Sequence, residues 1–375
     1  MIARSDRPGR VLMTADTVGG VWTYAIELAA ALGAEGVEVI LATMGAAVSP
    51  EQRREARSVA TLELAESRYR LPWMEDPWTD VAASKAWLIE LADQTGPSVI
   101  HLNDPVHGSA PWAVPTVAVV HSCVLSWWQA VWNTPAPPTW NRYADEMSRG
   151  LAGVDEIVTP SSSMLRALQR FYGISRGRVI PNGRDARGFS PGPKAPLVFA
   201  AGRLWDPAKN LSALDRVAPQ LSWPVYVAGD CSAPGEDQEI CLEHLRRLGR
   251  LPCSAIAAWL GRAAIYAFPA RYEPFGLSVL EAALSGCALV LGDLPSLRDL
   301  WDGVAVFVPP DDTEALGAAL EALIQDACLR QVLGARARRR ALGFTPRRMA
   351  HDYIELYSAL LAGRESSHQG SACAS

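Results

Sequence analysis

Two glutamates pose the first chemical question. In RYEPFGLSVLEAALSGCALVLGD (271–293), the preceding AIYAFP reads as a strand that ends before Glu273, and Gly276 to Leu284 reads as a helix. The amides of Phe275, Gly276 and Leu277 then sit at a helix N-terminus without intrahelical partners, which favours an anion such as phosphate. Gly276 has no side chain, so a ligand can approach the backbone closely. Glu273 lies on the loop beside that anion, while Glu281 lies more than a turn inside the helix. Carboxylates on both sides of an anion cradle suit a ligand with hydroxyls flanking a phosphate, which is the shape of a nucleotide sugar. Taken bare, two glutamates at this spacing are weak evidence, and a structural role is the commoner reading.

A second segment, AAGRLWDPAKNL (200–211), ends a strand at a glycine and places Arg203 and Lys209 around the start of the next helix. Two cations at a strand-to-helix turn can clamp a diphosphate through charge-assisted hydrogen bonds. A surface loop with two solvated charges is the alternative. The chain holds only three lysines, Lys85, Lys194 and Lys209, so a lysine at this turn stands out from the prevailing arginines. In the third segment, TADTVGGVWTYAIELAAAL (14–32), Gly19 and Gly20 join strand to helix. This is not GxGxxG, and LATMG occupies the place where a dinucleotide site needs an acidic ribose partner. A nicotinamide or flavin dehydrogenase is thereby disfavoured.

The elements that must position these residues are legible in the patterning. Short β-rich runs (RVLMTA, VEVILAT, SVIHL, TVAVVH, DEIVTP) alternate with helix-period segments, as in parallel sheets covered on both faces. PNGRDARGFSPGPKAP (181–196) is rich in Pro and Gly and reads as a linker. The alternation then restarts with PLVFAAGR, a helix over 208–220, PVYVAGD, AAIYAFP, CALVLGD and VAVFVPP. The expected architecture is α/β, with two Rossmann-like doubly wound domains facing across a cleft. Residues 1–180 form the first, the linker spans 181–196, and 197–345 form the second. Helical sequence covers Thr313–Ala341 and 346–362, the latter packing back on the first domain. The small, polar tail 363–375 reads as disordered.

With 375 residues, a net charge of −5 and nearly half the chain hydrophobic, the composition is globular and offers no basic field for nucleic acid. The cysteines are dispersed without a CxxC pair, as in reduced thiols, and MIARSDRPGRVLMTAD lacks a signal-peptide core. Both point to a cytoplasmic location. Residues 116–134 are uncharged, but TVAVV reads as a buried strand and polar residues interrupt the sequence after it, against a membrane span. Six arginines in 336–348 (Arg336, Arg338, Arg339, Arg340, Arg347 and Arg348) read as a solvated helix face, with peripheral contact to an anionic inner membrane surface as the sharper alternative.

Four segments in order, GGVWTYAIELAAALGAEGVEV, VIPNGRDARGFSP, AGRLWDPAKN and EPFGLSVLEAALSGCALVL, resemble a family 4 glycosyltransferase of the GT-B fold. The similarity runs from about residue 10 to residue 361. It implies a retaining, metal-independent transfer of a sugar from a nucleotide donor, UDP- or GDP-linked, to a glycan, lipid-linked or small-molecule acceptor, with no cofactor. By matching motifs, the resemblance assigns Glu273 to the donor sugar's hydroxyls and Glu281 to the ribose. Arg203 and Lys209 take the diphosphate, Gly19 and Gly20 the glycine loop, and His121 the histidine near the reacting sugar. The absence of any Asp-x-Asp fits fixed cations in place of a divalent ion. Two departures are visible: the family commonly has four residues between the Arg and the Lys, then Gly, whereas five intervene here and Asn210 comes next; and the region after His121 (SCVLSWWQAVWNTPAPPTW) matches no family signature. A sugar-nucleotide epimerase, a phosphorylase and an inactive sugar-nucleotide-binding partner are the alternatives. Trp127, Trp128 and Trp132 fall on one side of a helix beginning near Leu125, as core packing or as an acceptor platform.

Overall fold

The computed structural model describes residues 7–232 and 240–372, and side chains as far as 364. It divides into two units. The first comprises residues 1–126, 135–183 and 346–375, and the second comprises 127–134 and 184–345. Residues 1–6 and 373–375, which carry the start of the first expected domain and the end of the expected tail, lie outside the described residues.

The first unit holds β1 (Arg10–Asp16), β2 (Glu38–Met44), β3 (Leu62–Glu66), β4 (Val99–Leu102), β5 (Thr116–Val119), β6 (Glu156–Thr159) and β7 (Arg178–Val179). They form one parallel sheet in the order β3-β2-β1-β4-β5-β6-β7. Because side chains alternate along a strand, each face builds its own core. Val11, Met13, Val39 and Leu41 pack under the helix Gly20–Ala34 and beside Tyr353 and Tyr357 of the helix Pro346–Ala372. Leu12, Ile40 and Ala42 pack on the other face with Val81, Leu88, Tyr143 and Met147.

The second unit holds β8 (Ala195–Ala201), β9 (Val225–Ala228), β10 (Arg246–Arg247), β11 (Ala263–Phe268), β12 (Ala288–Gly292) and β13 (Val306–Val308). Its sheet is also parallel, ordered β10-β9-β8-β11-β12-β13. Phe199, Tyr266, Leu289 and Leu291 face one core; Val198, Val227, Ala267 and Val290 face the other. In each sheet the strand order reverses once, between β1 and β4 and between β8 and β11. Loops diverge at such a point and leave a crevice at the carboxyl ends of the two strands.

Several expectations change at this level. β8 begins at Ala195, and residues 184–196 group with the second unit instead of standing apart as a linker. The last helix continues to Ala372, so residues 363–372 are helical where a disordered tail was expected. Thr313–Ala341 is two helices, Thr313–Gln325 and Ala327–Ala341, broken at Asp326, whose carboxylate caps the second by accepting from the Leu329 amide. The uncharged stretch 116–134 is β5 followed by the helix Val124–Trp132, and among the described residues no helix is long and apolar enough to cross a membrane. The arginine run is a solvated face as expected at Arg336, Arg339, Arg340, Arg347 and Arg348, which are exposed, while Arg338 is half-buried. Arg338 donates to the Leu284 carbonyl, and Arg340 donates to the carbonyls of Leu300 at 3.2 Å and Asp302 at 2.6 Å. Each guanidinium thus meets the negative C-terminal end of a neighbouring helix.

Candidate active site

The second unit gathers its chemistry at the reversal between β8 and β11. The chain leaving β8 forms a single 3-10 turn, Pro207–Lys209, opened by Asp206, whose Oδ1 accepts from the Ala208 amide at 3.0 Å. Asn210 closes the turn in the left-handed conformation, with φ 57°. Asn tolerates that region better than most side chains, so it stands where the family commonly has Gly. Its Nδ2 donates to the carbonyls of Pro269, just past β11, and Pro310, just past β13, at 2.9 and 2.7 Å. The Arg271 amide donates to the Ala208 carbonyl at 2.8 Å. The loops are laced together through Asn210 and the Ala208 carbonyl.

The lacing delivers Lys209 to Glu273. The Lys209 ammonium donates to Glu273 Oε2 at 2.7 Å, and the side chains are only 12% and 16% exposed. Glu273 Oε1 accepts from the amides of Gly276 at 2.9 Å and Phe275 at 3.4 Å. This corrects the expectation that both amides stand open to an anion: the Glu273 carboxyl oxygen already accepts from them. The helix starts at Leu277 instead of Gly276, and Gly276 itself is left-handed, φ 86°. The left-handed backbone favours glycine there, and a Cβ would also crowd a Val279 methyl at 3.0 Å.

The other expected residues of this unit are held apart from that pair by partners of their own. Arg203 donates to Asp206 Oδ2 at 2.8 Å, with the carboxylate 3% and the guanidinium 39% exposed. Glu281 Oε1 accepts from Arg184 Nε at 2.8 Å, both side chains nearly buried, and the Arg184 guanidinium lies 4.9 Å over the Phe189 ring. Sequence reasoning missed both Asp206 and Arg184. Asp206 was legible as a turn-opening Asp before Pro, whereas nothing in PNGRD marks Arg184 as the partner of a residue far along the chain.

Trp127, Trp128 and Trp132 occupy the helix Val124–Trp132, and their ring centroids lie 6.0, 6.5 and 6.4 Å apart. The core reading is overturned: the first two are half-buried, Trp132 is 52% exposed, and none joins a core cluster. Trp127 Nε1 donates to Asp206 Oδ1 at 3.1 Å, so the carboxylate that pairs with Arg203 also anchors the indole cluster.

In the first unit, Gly19 precedes the helix Gly20–Ala34 with φ 121° and offers no side-chain cap. The helix N-terminus therefore presents amides at the β1 end of its own reversal point. His121, just past β5, is half-buried; its Nε2 lies 2.9 Å from Asn103 Oδ1, and its ring packs edge-on against Tyr24 at 4.4 Å. Desolvation lowers its pKa to about 3, so the ring is neutral at physiological pH.

Two doubly wound parallel-sheet units of this kind define the GT-B class of glycosyltransferase fold. Sucrose-phosphate synthase from Thermosynechococcus elongatus superposes with a TM-score of 0.79 at 19% identity, over 94% of this chain and 99% of that one. Anabaena HepE, solved in complex with UDP-glucose, superposes at 0.74 with 17% identity, over 94% and 100%. Residues 18–187 match the family model Glycosyltransferase Family 4, and residues 195–326 match Glycosyl transferases group 1. D-inositol 3-phosphate glycosyltransferase of Nocardia farcinica is 25% identical over 92% of this chain and 85% of its own length. Phosphatidyl-myo-inositol mannosyltransferase of Mycobacterium leprae is 29% identical over 87% and 90%. The chain belongs to glycosyltransferase family 4.

Proposed function

We propose that this glycosyltransferase moves a hexose from a UDP- or GDP-linked donor to a glycan, lipid-linked or small-molecule acceptor, with retention of anomeric configuration and without a metal ion. The observation that carries the reading is the Lys209–Glu273 pair at the reversal of the second sheet, set on the amides that begin the helix Leu277–Leu284. A nucleotide diphosphate brings the negative charge that this ammonium and helix terminus complement, and its leaving oxygen gains charge as the anomeric bond breaks. In this reading Lys209 turns from Glu273 to the diphosphate, with Arg203 as the second cation. Glu273 then accepts from hydroxyls of the transferred sugar, and Glu281, steadied by Arg184, accepts from the ribose. His121 lies near the sugar, and no side chain is assigned as general base; the leaving phosphate oxygen takes the acceptor's proton.

Support comes from the UDP-glucose complex of the Anabaena fold relative and from relatives named as sugar transferases, which favour transfer over the epimerase, phosphorylase and inactive-partner alternatives. The inositol-bearing acceptors in those names favour a small polyol or lipid headgroup, and Trp128 and Trp132 offer indole faces that pack well on a sugar ring. Nucleic acid has no part in the reaction, and any membrane contact is peripheral. The test is release of nucleoside diphosphate from UDP-, GDP- and ADP-sugars with and without acceptor extracts, repeated in EDTA. Acceptor-dependent release that survives chelation is expected. Loss on chelation restored by Mn²⁺ or Mg²⁺ would overturn metal independence, and acceptor-independent turnover would overturn transfer.

A further inference from the structure

A chain of buried and half-buried polar groups at the reversal of the first sheet bears on where the protons of two histidines sit. Asn103 lies just past β4, and its amide cannot be flipped: Nδ2 donates to the Thr14 carbonyl at 2.6 Å, while its backbone amide donates to Thr14 Oγ1 at 2.8 Å. Oδ1 is thereby turned toward His121 Nε2 at 2.9 Å and His101 Nε2 at 3.3 Å. An amide oxygen only accepts, so the ring nitrogen facing it must carry the hydrogen.

The surrounding hydrogen bonds close in the same sense. His101 is wholly buried, with Nδ1 2.5 Å from the Tyr357 hydroxyl and Nε2 3.3 Å from the Tyr24 hydroxyl. Tyr24 spends its proton on the Tyr353 hydroxyl at 2.7 Å, so toward His101 it only accepts. His101 is therefore protonated on Nε2, and its Nδ1 accepts from Tyr357. Both imidazoles deliver an N–H to one oxygen, and Tyr353 and Tyr357 of the helix Pro346–Ala372 complete the set. Burial of His101 and His121 lowers both pKa values to about 3, which removes the doubly protonated form from consideration at physiological pH.

We infer that Asn103 is a positioning residue that holds His121 as its neutral Nε2–H tautomer, leaving Nδ1 as a pure acceptor matched to a ligand hydroxyl and not to a phosphate oxygen. The identity of that hydroxyl, on the transferred sugar, rests on the proposed donor chemistry; the tautomer does not. A neutral ring held this way neither donates a proton to a leaving group nor pairs with diphosphate, so its contribution is to orient the sugar.

The test uses the full chain labelled with ¹⁵N-histidine, with long-range ¹H–¹⁵N correlation at neutral pH and the His121 signals assigned by their loss in His121→Gln. The wild type should show His121 as Nε2–H. Asn103→Leu, which removes the acceptor, should admit the Nδ1–H form and lower kcat by roughly tenfold, the worth of one hydrogen bond, with the KM for nucleotide sugar within about twofold. Asn103→Asp keeps the acceptor oxygen, so it should retain Nε2–H, raise the pH at which imidazolium appears and recover part of kcat. A wild-type Nδ1–H tautomer, or an unchanged tautomer in Asn103→Leu, overturns the inference. An unchanged kcat in a variant whose tautomer has shifted overturns the positioning role. The expected tautomers in a protein that turns over no nucleotide sugar support the lock and overturn only the donor reading.

Discussion

Replacing Asn210 by Gly or by Ala probes what holds the loop that carries Lys209. Either change deletes the two hydrogen bonds to the carbonyls of Pro269 and Pro310. A buried carbonyl left unmade costs about 1–3 kcal/mol. The wild type already carries one such penalty, because Asn210 Oδ1 is buried without a partner, and both variants relieve it. The balance for Asn210→Gly is a loss of about 1–3 kcal/mol. Asn210→Ala keeps the Cβ at φ 57° that Asn210→Gly removes, a difference of about 1–2 kcal/mol between the two variants. Ala should therefore be the less stable of the two by the left-handed strain alone. Equilibrium urea unfolding reads the totals, and hydrogen exchange at the amides of β8 and β11 assigns the loss to the second unit. Equal stabilities for the two variants would refute the strain, and wild-type stability in both would refute the lacing of the three loops.

The same geometry yields three further expected outcomes. Glu273→Ala should lower kcat strongly, whereas Glu281→Ala should chiefly raise the donor KM, because the proposed function assigns the first carboxylate to the reacting sugar and the second to the ribose; small, equal effects in steady-state kinetics would sink both assignments. Trp128→Ala with Trp132→Ala should raise the acceptor KM and scarcely move Tm, since neither indole belongs to a core; a large drop in Tm with unaltered acceptor kinetics would contradict this. Stability should fall with acid. His101, His107 and His121 are depressed to about 3, 4 and 3 by burial, so between their ordinary value of 6.5 and those values the unfolded chain binds protons that the folded chain refuses. Asp104, raised by burial to about 7, works in the opposite sense over pH 3.8 to 7. Near pH 5 the three histidines outweigh Asp104, so unfolding takes up protons and stability drops as the pH falls; urea unfolding that is flat from pH 5 to 6 would refute it.

The sequence by itself determined the architecture and the addresses of the motifs. Parallel strands covered on both faces are apolar along their whole length, so β1, β2, β8, β11 and β12 were legible as runs, and the glycine-marked turns after them located the loops. The edge strands β3, β7 and β10 were not, because an edge in contact with solvent carries polar residues such as LELAE or RR and gives no apolar signal. Which partner each functional side chain takes was decided only by tertiary structure. Glu273 fills the amides that its own helix leaves open, Arg184 reaches Glu281, Arg338 and Arg340 reach the C-terminal carbonyls of neighbouring helices, and Asn103 gathers His101 and His121 while Tyr357 arrives from the last helix. Residue type and local spacing set what a side chain can donate or accept. The register of two sheets and the path of the loops beyond them set which donor meets which acceptor, and no local pattern carries that distance.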